Sequence, residues 1–271
     1  MSEQTIIAKS AYPQTKISLI DAFHCIGVRK GSVVFLHSSL SSIGWVCGGA
    51  RTVIEAMLST LEESGTLVMP AHSADLSDPQ DWENPPVPKS WVEPIKNNMP
   101  AFDRILTPTY GMGMISEAFR LWPNVCRSYH PQHSICALGP RAEEITSNQP
   151  LEDAHGESSP LAKLYKADAS ILLLGVGFDC CTSLHLAEIR AQPFRKKETS
   201  SAPMTIDGRR IWKRFETYPV EIEDFSLVGE HLLECGIVET GLIGLAKSYF
   251  MPIRSVVDES TEWFIQNRPS V

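Results

Sequence analysis

An uninterrupted apolar run, Val33-Val34-Phe35-Leu36, stops abruptly at His37-Ser38-Ser39-Leu40-Ser41-Ser42-Ile43-Gly44, and beyond Gly48-Gly49 an amphipathic run covers residues 51–63. Consecutive apolar residues of strand character imply a buried strand. The small hydroxyl residues imply a loop, and the helical periodicity after them a helix. A loop at the end of a buried strand, rich in backbone N–H groups and followed by a helix N-terminus, is where α/β proteins hold anionic or carbonyl-bearing ligands. One segment therefore restricts both the fold class and the position of a ligand site.

The same alternation continues along the chain. Residues 16–27 carry apolar side chains at Ile17, Leu19, Ile20, Phe23 and Ile26, with Gly27 as a helix stop. Strands are expected at 32–36, 65–70, 134–138 and 170–174, and helices at 51–63, 113–121, 225–234 and 259–266. Alternating β and α units predict an α/β fold, a layered α/β/α domain with a central mixed sheet. No repeat, low-complexity tract or linker divides the chain, so residues 1–271 are read as one domain.

Residues 73–108 interrupt the pattern. They contain Asp75, Asp78, Asp81, Glu83, Glu93 and Asp103, with Trp82 and Trp91, and are broken by Pro79, Pro85, Pro86, Pro88, Pro94 and Pro100. A connection this long inside a domain is functional or disordered, and two tryptophans argue against disorder. Two readings stand: a lid-like loop whose carboxylates and rings face a cationic, sugar-like ligand, and a surface excursion pinned to the core by its tryptophans.

A net charge of −8 gives no basic balance for nucleic acid. Met1-Ser2-Glu3-Gln4-Thr5 is not a secretory n-region, and the longest apolar run, from Ile171 to Phe178, is too short to span a bilayer. The seven cysteines include no CxxC pair, and Cys180-Cys181 are adjacent, which suits reduced thiols in a cytoplasmic protein.

Chemistry is suggested first by Thr182-Ser183, residues suited to a helix start, which place His185 and Glu188 one turn apart on one helix face. They follow the strand at 170–174 and the loop Gly175-Val176-Gly177-Phe178-Asp179, at the edge of the sheet where α/β proteins bind ligands. An imidazole there, with an unperturbed pKa of about 6.5, suits a general base near neutral pH. By itself an H-x-x-E pair on an amphipathic helix is more often a surface pair than a catalytic one. His130-Pro131-Gln132-His133 with Cys126 and Cys136 has no recognised metal spacing, so no metal is expected. His72 ends a strand and lines a cleft, whereas His24, His155 and His231 carry no signal. Arg195-Lys196-Lys197 reads as an exposed basic patch rather than a contact to a ligand phosphate. There is no G-x-S-x-G elbow, P-loop, H-E-x-x-H or complete G-x-G-x-x-G; Gly111-Met112-Gly113 and Gly175-Val176-Gly177 are fragments of the last.

Taken together, the segment from Val33 to Gly44, the segment Thr107-Pro108-Thr109-Tyr110-Gly111-Met112-Gly113 and the segment Thr182-Ser183-Leu184-His185-Leu186-Ala187-Glu188 resemble, in order and spacing, the aminoglycoside 3-N-acetyltransferase family. Arg127-Ser128-Tyr129-His130-Pro131 resembles a further family motif, and the likeness spans nearly the whole chain. It implies acetyl-coenzyme A as co-substrate, acetylation of the 3-amino group of the 2-deoxystreptamine ring of aminoglycoside antibiotics, and a scaffold distinct from the large acetyltransferase superfamily with a glycine-rich pyrophosphate loop. It further implies that His37, Ser38, Ser39, Leu40 and Ser41, with Thr107, Thr109, Met112 and Gly113, lie along the cofactor, and that His185 is the base. Glu216, in the Trp-led stretch from Trp212, is favoured as the orienting carboxylate, with Glu223 as runner-up. On the acceptor side the expected residues are His72, Asp75, Asp103, Asp179, Glu188, Glu221, Glu223 and Asp224. Oligomeric state stays open. Competing readings are the same scaffold acting on a different amine, a coenzyme A- or sugar-binding protein without catalysis, and a hydrolase.

Overall fold

Successive residues of strand β1 (Val33–Ser38) point to opposite faces of a sheet, and both faces are covered. Val33 and Phe35 join one apolar cluster with Val68, Ile171 and Leu173, while Val34 and Leu36 join a second with Leu67, Leu172 and Leu174. Burial on both sides is why the run carries no polar alternation.

The computed structural model describes residues 2–268. In chain order its helices are α1 (Glu3–Lys9), α2 (Lys16–Ile26), α3 (Leu40–Ile43), α4 (Gly49–Leu61), α5 (Lys89–Asn98), α6 (Gly113–Arg120), α7 (Ala142–Thr146), α8 (Pro160–Lys166), α9 (Leu184–Ala191), α10 (Phe225–Glu234) and α11 (Ile253–Asn267). The strands after β1 are β2 (Thr66–Pro70), β3 (Cys126–Arg127), β4 (Ile135–Leu138), β5 (Ser170–Leu174), β6 (Glu198–Ile206), β7 (Arg209–Thr217), β8 (Glu239–Ile243) and β9 (Ala246–Pro252). A seven-stranded sheet has the order β3-β4-β2-β1-β5-β9-β8. Strands β2, β1 and β5 are parallel at its centre, and the outer pairings are antiparallel. The mixed α/β fold is as expected from the alternation.

Helices α2, α4 and α6 cover one face through Leu19, Phe23, Ile54, Met57 and Phe119. Helices α8 to α11 cover the other through Leu164, Leu186, Phe225, Val256 and Phe264. Each such side chain, fully buried, contributes about 1.5–3 kcal/mol. Within α2 one expected core position fails: Ile17 is 73% exposed, because Leu19, Phe23 and Ile26 already fill the inward stripe. A Thr15–Ser18 capping box starts this helix and Gly27, at φ +117°, ends it.

The chain leaves β1 towards β2 on one side and leaves β5 towards β9 on the other. The crevice outside the carboxyl ends of β1 and β5 is therefore a topological switch point, the usual ligand position in such sheets.

Neither tryptophan of the long excursion is seated in the core. Trp91 is 58% exposed, and Trp82 donates from Nε1 to Ser77 Oγ at 3.0 Å. The pinning expected of them is done by charge instead. Lys96 pairs with Asp78 at 2.6 Å, Ser201 Oγ lies 3.3 Å from the same carboxylate, and Phe102 N donates to Pro203 O at 2.9 Å. These contacts lay the middle of the excursion on the separate β6–β7 hairpin. Its neck is tied by buried Arg127, which donates to Ala71 O (2.7 Å) and Ser73 Oγ (2.9 Å) at one end and Thr107 O (2.5 Å) at the other. Burial lowers the Arg127 pKa to about 10, so the guanidinium stays charged.

Candidate active site

A cavity of about 860 Å³ opens at the switch point. Its walls come from the β1–α3 loop, the residues before and at the start of α6, the loop from β5 into α9, and histidines from three further segments. Close approach of the first and third walls depends on Gly175: at φ +68°, a Cβ there would lie 2.5 Å from that of Ser42.

Strand β1 runs two residues further than expected, so His37 and Ser38 are paired with Leu173 and Leu174 of β5. His37 is nearly fully buried, packs edge-on against Phe35 at 4.4 Å, and is lowered by burial to a pKa of about 3. It is a neutral wall residue. Ser39 N donates to Leu174 O at 2.9 Å, and Ser42 Oγ to Ser39 Oγ at 2.8 Å, which turns Ser38, Ser39, Leu40 and Ser41 along the cavity. Opposite them, Met112 and Gly113 line the cavity where α6 begins, with the Cβ direction of Gly113 3.7 Å from Ser38 O.

Thr107 and Thr109, expected along the same wall, do not line it. Thr107 Oγ1 accepts from Asp103 N at 2.9 Å, and Thr109 donates from both N and Oγ1 to Glu117 at 2.8 Å. Their hydroxyls are used in holding the turn that leads into α6.

His185 is the second residue of α9, 7% exposed, and faces the cavity. Its Nδ1 lies 2.5 Å from Glu188 Oε2. Glu188, 2% exposed, also accepts from Arg268 Nη1 at 2.5 Å through its other oxygen and lies 3.5 Å from Arg195 Nη1. Arg268 in turn binds both oxygens of Asp224, at 2.7 and 2.6 Å, and Arg195 pairs with Glu221. The carboxylate that fixes the histidine ring is therefore Glu188, one turn away in the same helix.

Glu216 does not reach it. It lies on exposed β7 and accepts from Thr199 Oγ1 across the hairpin at 2.7 Å. Glu223, the runner-up, accepts from Ile222 N at 3.0 Å in an exposed turn. Glu188, Glu221 and Asp224, expected to meet the acceptor, are instead spent on His185 and the two arginines. Asp103 caps its own turn, where the N–H groups of Leu106 and Ile105 hold its carboxyl below the usual range. Asp75 is half-buried beside the cavity-lining Ala74, with burial raising its pKa, but does not line the cavity. Asp179 does, as does His72. Arg195 is no exposed patch: its side chain is 9% exposed between Glu188 and Glu221.

Three site residues were not among those expected, although Tyr110 stands in the family-like segment from Thr107 to Gly113 and His133 in His130-Pro131-Gln132-His133. His155 stacks on His185 with ring centroids 4.9 Å apart, His133 lies 4.5 Å from His155, and Tyr110 donates its N–H to His72 O at 2.8 Å. Only the fold brings them together. One ring nitrogen from each of His72, His133 and His155 lies within 4.8 Å of the other two.

A family model described as aminoglycoside 3-N-acetyltransferase matches residues 35–265. The chain is 42% identical to the SPbeta prophage-derived aminoglycoside N(3')-acetyltransferase-like protein YokD of Bacillus subtilis, over 97% of this chain and 96% of that protein. The crystal structure of YokD has a TM-score of 0.95 to this fold at 42% identity, covering 97% of this chain and 98% of the other. Aminoglycoside N(3)-acetyltransferase VIII of Streptomyces fradiae is 33% identical over 97% of this chain and 96% of its own length. The structure of AAC-IIIb in a binary complex with CoASH has a TM-score of 0.83 at 28% identity, covering 96% and 100% of the two chains.

Proposed function

The chain belongs to the aminoglycoside 3-N-acetyltransferase family and is thereby an acyltransferase, and from that premise we propose direct acetyl transfer from acetyl-coenzyme A to the 3-amino group of a 2-deoxystreptamine aminoglycoside. The observation that carries this reading is the buried His185–Glu188 pair, 2.5 Å apart, on the wall of a cavity shared with the Ser38–Ser41 loop and the start of α6.

The chemical problem is the nucleophile. An aminoglycoside amine is mostly an ammonium near neutral pH and has no lone pair with which to attack. Glu188 on Nδ1 holds the ring proton there and leaves Nε2 to take one proton from the acceptor nitrogen. The freed amine attacks the thioester carbonyl and forms the carbon–nitrogen bond. The carbon–sulfur bond breaks, the departing thiolate takes the proton held by the imidazolium, and the ring, neutral again, removes the second proton from the new amide nitrogen and passes it to solvent. Such base assistance is worth about 10²–10⁴-fold, and juxtaposing thioester and amine in one cavity adds the proximity term. Backbone N–H groups of the loop after β1 are suited to the oxyanion.

Coenzyme A is supported by the structure of a relative in a binary complex with CoASH and by the small side chains of Ser38, Ser39, Ser41 and Gly113, which allow close backbone approach. Thr107 and Thr109 are left out of this surface. No helix among the described residues is long and apolar enough to cross a membrane, and the unpaired cysteines suit a reducing cytoplasm.

Release of free thiol from acetyl-coenzyme A in the presence of gentamicin-, neomycin- and kanamycin-type acceptors tests the proposal, with the acetylated position read by NMR. Turnover is expected with at least one, at the 3-amino group. Thiol release with none of them would sink it. The Glu216→Gln variant is expected to keep kcat/KM within about twofold, a difference of roughly 0.4 kcal/mol, because Glu216 faces Thr199 and solvent. A loss above tenfold in steady-state kinetics would return Glu216 to the site.

A second reading, the same transfer onto a different amine, is favoured by one observation. Among the described residues lining the cavity, Asp179 and Glu3 are the only carboxylates, few for a polycation. Turnover with simple amines but not with the antibiotic panel would select it.

A further inference from the structure

His72, just past β2, His133, in the turn between β3 and β4, and His155, in the loop before α8, bring three imidazoles to one end of the cavity. Their ring centroids are 5.5 Å (His72–His133), 4.5 Å (His133–His155) and 6.3 Å (His72–His155) apart. The backbone at His133 is held by His130, whose Nδ1 accepts the N–H groups of Gln132 and His133 at 3.2 and 3.0 Å. His72 Nε2 and His155 Nε2 are buried without a protein partner.

Burial holds all three rings neutral, lowering His72 to about 3 and His133 and His155 well below the ordinary value; His72 further disfavours charge on His133 and His155, and His133 on His155. Buried ring nitrogens without partners cost free energy. A divalent cation shared by the three would satisfy them. Neutral imidazoles are the common nitrogen ligands of Zn²⁺, and three histidines with an open fourth position make a recurring zinc set. Zinc–nitrogen bonds of about 2.0–2.1 Å set nitrogen–nitrogen separations near ~3.4 Å. The present spread of up to 4.8 Å closes by rotation of the rings.

We propose that His72, His133 and His155 form a three-histidine site for a divalent transition-metal ion, with Zn²⁺ as the fitting case, and that its occupancy closes the cavity to a cationic acceptor. His155 stacks on His185, so a dication held by His155 sits beside the base and repels an incoming ammonium. Metal binding is independent of the transfer reaction proposed above; the inhibitory effect rests on it.

A second group of donors must be separated experimentally. His231 of α10, Cys235 just past its end and Glu259 of α11 also converge, but there His231 Nε2 is already taken by Glu259 at 2.7 Å on a half-exposed surface.

The test is a Zn²⁺ titration of the metal-free full chain against a chromophoric chelator, on the unaltered protein and on H72Q, H133Q and H231Q. One tight equivalent is expected. It should weaken about tenfold or more in H72Q and in H133Q and persist in H231Q. In crystals of the unaltered protein soaked with Zn²⁺, an anomalous peak should lie between the three rings, a readout that needs no variant to fold. No tight equivalent, no peak there, or an equivalent lost in H231Q and kept in H72Q and H133Q overturns the site. Acetyl transfer should fall as the site fills and recover on chelation; undiminished transfer with the metal seated overturns the inhibitory half. Absence of transfer under every condition would count against the proposed reaction and leave the binding result standing.

Discussion

His185→Ala is expected to lower kcat for acetyl transfer by about 10²–10⁴-fold while leaving coenzyme A affinity within about twofold. The ring is the one described donor–acceptor pair member in the cavity that is both oriented by a buried carboxylate and open to a reactant. The Ser38–Ser41 loop proposed for the cofactor is a separate wall, so binding of coenzyme A should survive. The companion variant Glu188→Gln should behave differently. It keeps the shape of the side chain but removes the charge that fixes the ring and pairs with Arg268 and Arg195. Breaking a buried ion pair from one side costs about 3–5 kcal/mol, so this variant should lose thermal stability as well as rate. His185→Ala should lose mainly rate. Stopped thiol-release kinetics with calorimetric melting of both variants separates the two. Full transfer by His185→Ala would remove the base from the mechanism.

The folded state is expected to weaken steeply as pH falls below about 6.5, the ordinary histidine value. Burial sets His37 and His72 to about 3 and His130 to about 4. The unfolded chain takes up these protons near 6.5, and the folded chain does not until far lower. Throughout that window the unfolded state binds more protons, so stability is complete above it and drains away on acidification. At pH 5 each such ring costs about 2 kcal/mol, and three together approach the 5–15 kcal/mol that hold an ordinary domain. Depressed carboxylates such as Glu117, at about 2, also lose stabilisation in acid, but their loss begins below about 4.5. Urea midpoints measured from pH 8 to pH 4 separate the two onsets. A midpoint that stays level between pH 7 and pH 5 would falsify the assignment of these rings as buried and neutral.

The centre of the sheet was legible from composition of short runs because strands covered on both faces carry no polar residues. Val33 to Leu36 and Ile171 to Leu174 announced themselves in this way. The hairpins did not, although the β6–β7 turn contains Asp207-Gly208 with both residues at positive φ, the strongest short-range hairpin signal there is. The flanking strands are half exposed and rich in charge, so no apolar alternation marks them as strands. In the site, the spacing of His185 and Glu188 was visible, since a helical turn is a local fact. Which acid served the ring was not resolved by the family likeness, which pointed to Glu216. Helix geometry places Glu188 there instead, braced by Arg195 and Arg268 from outside the helix. His155 meets His185, and His133 meets His155, only through long-range folding, so no window of sequence contains the information.

Arg127 gathers both ends of the excursion onto one guanidinium, while the intervening residues rest on the β6–β7 hairpin. The closing entropy of such an arc grows only logarithmically, by about 0.6 kcal/mol for each doubling of length. A polypeptide cut or an inserted stretch in the arc, away from this knot, would therefore leave Ala74 and Tyr110 where they stand at the rim. The appendage is mechanically decoupled from the reaction chamber, and a foreign peptide could be housed there without retuning the chemistry.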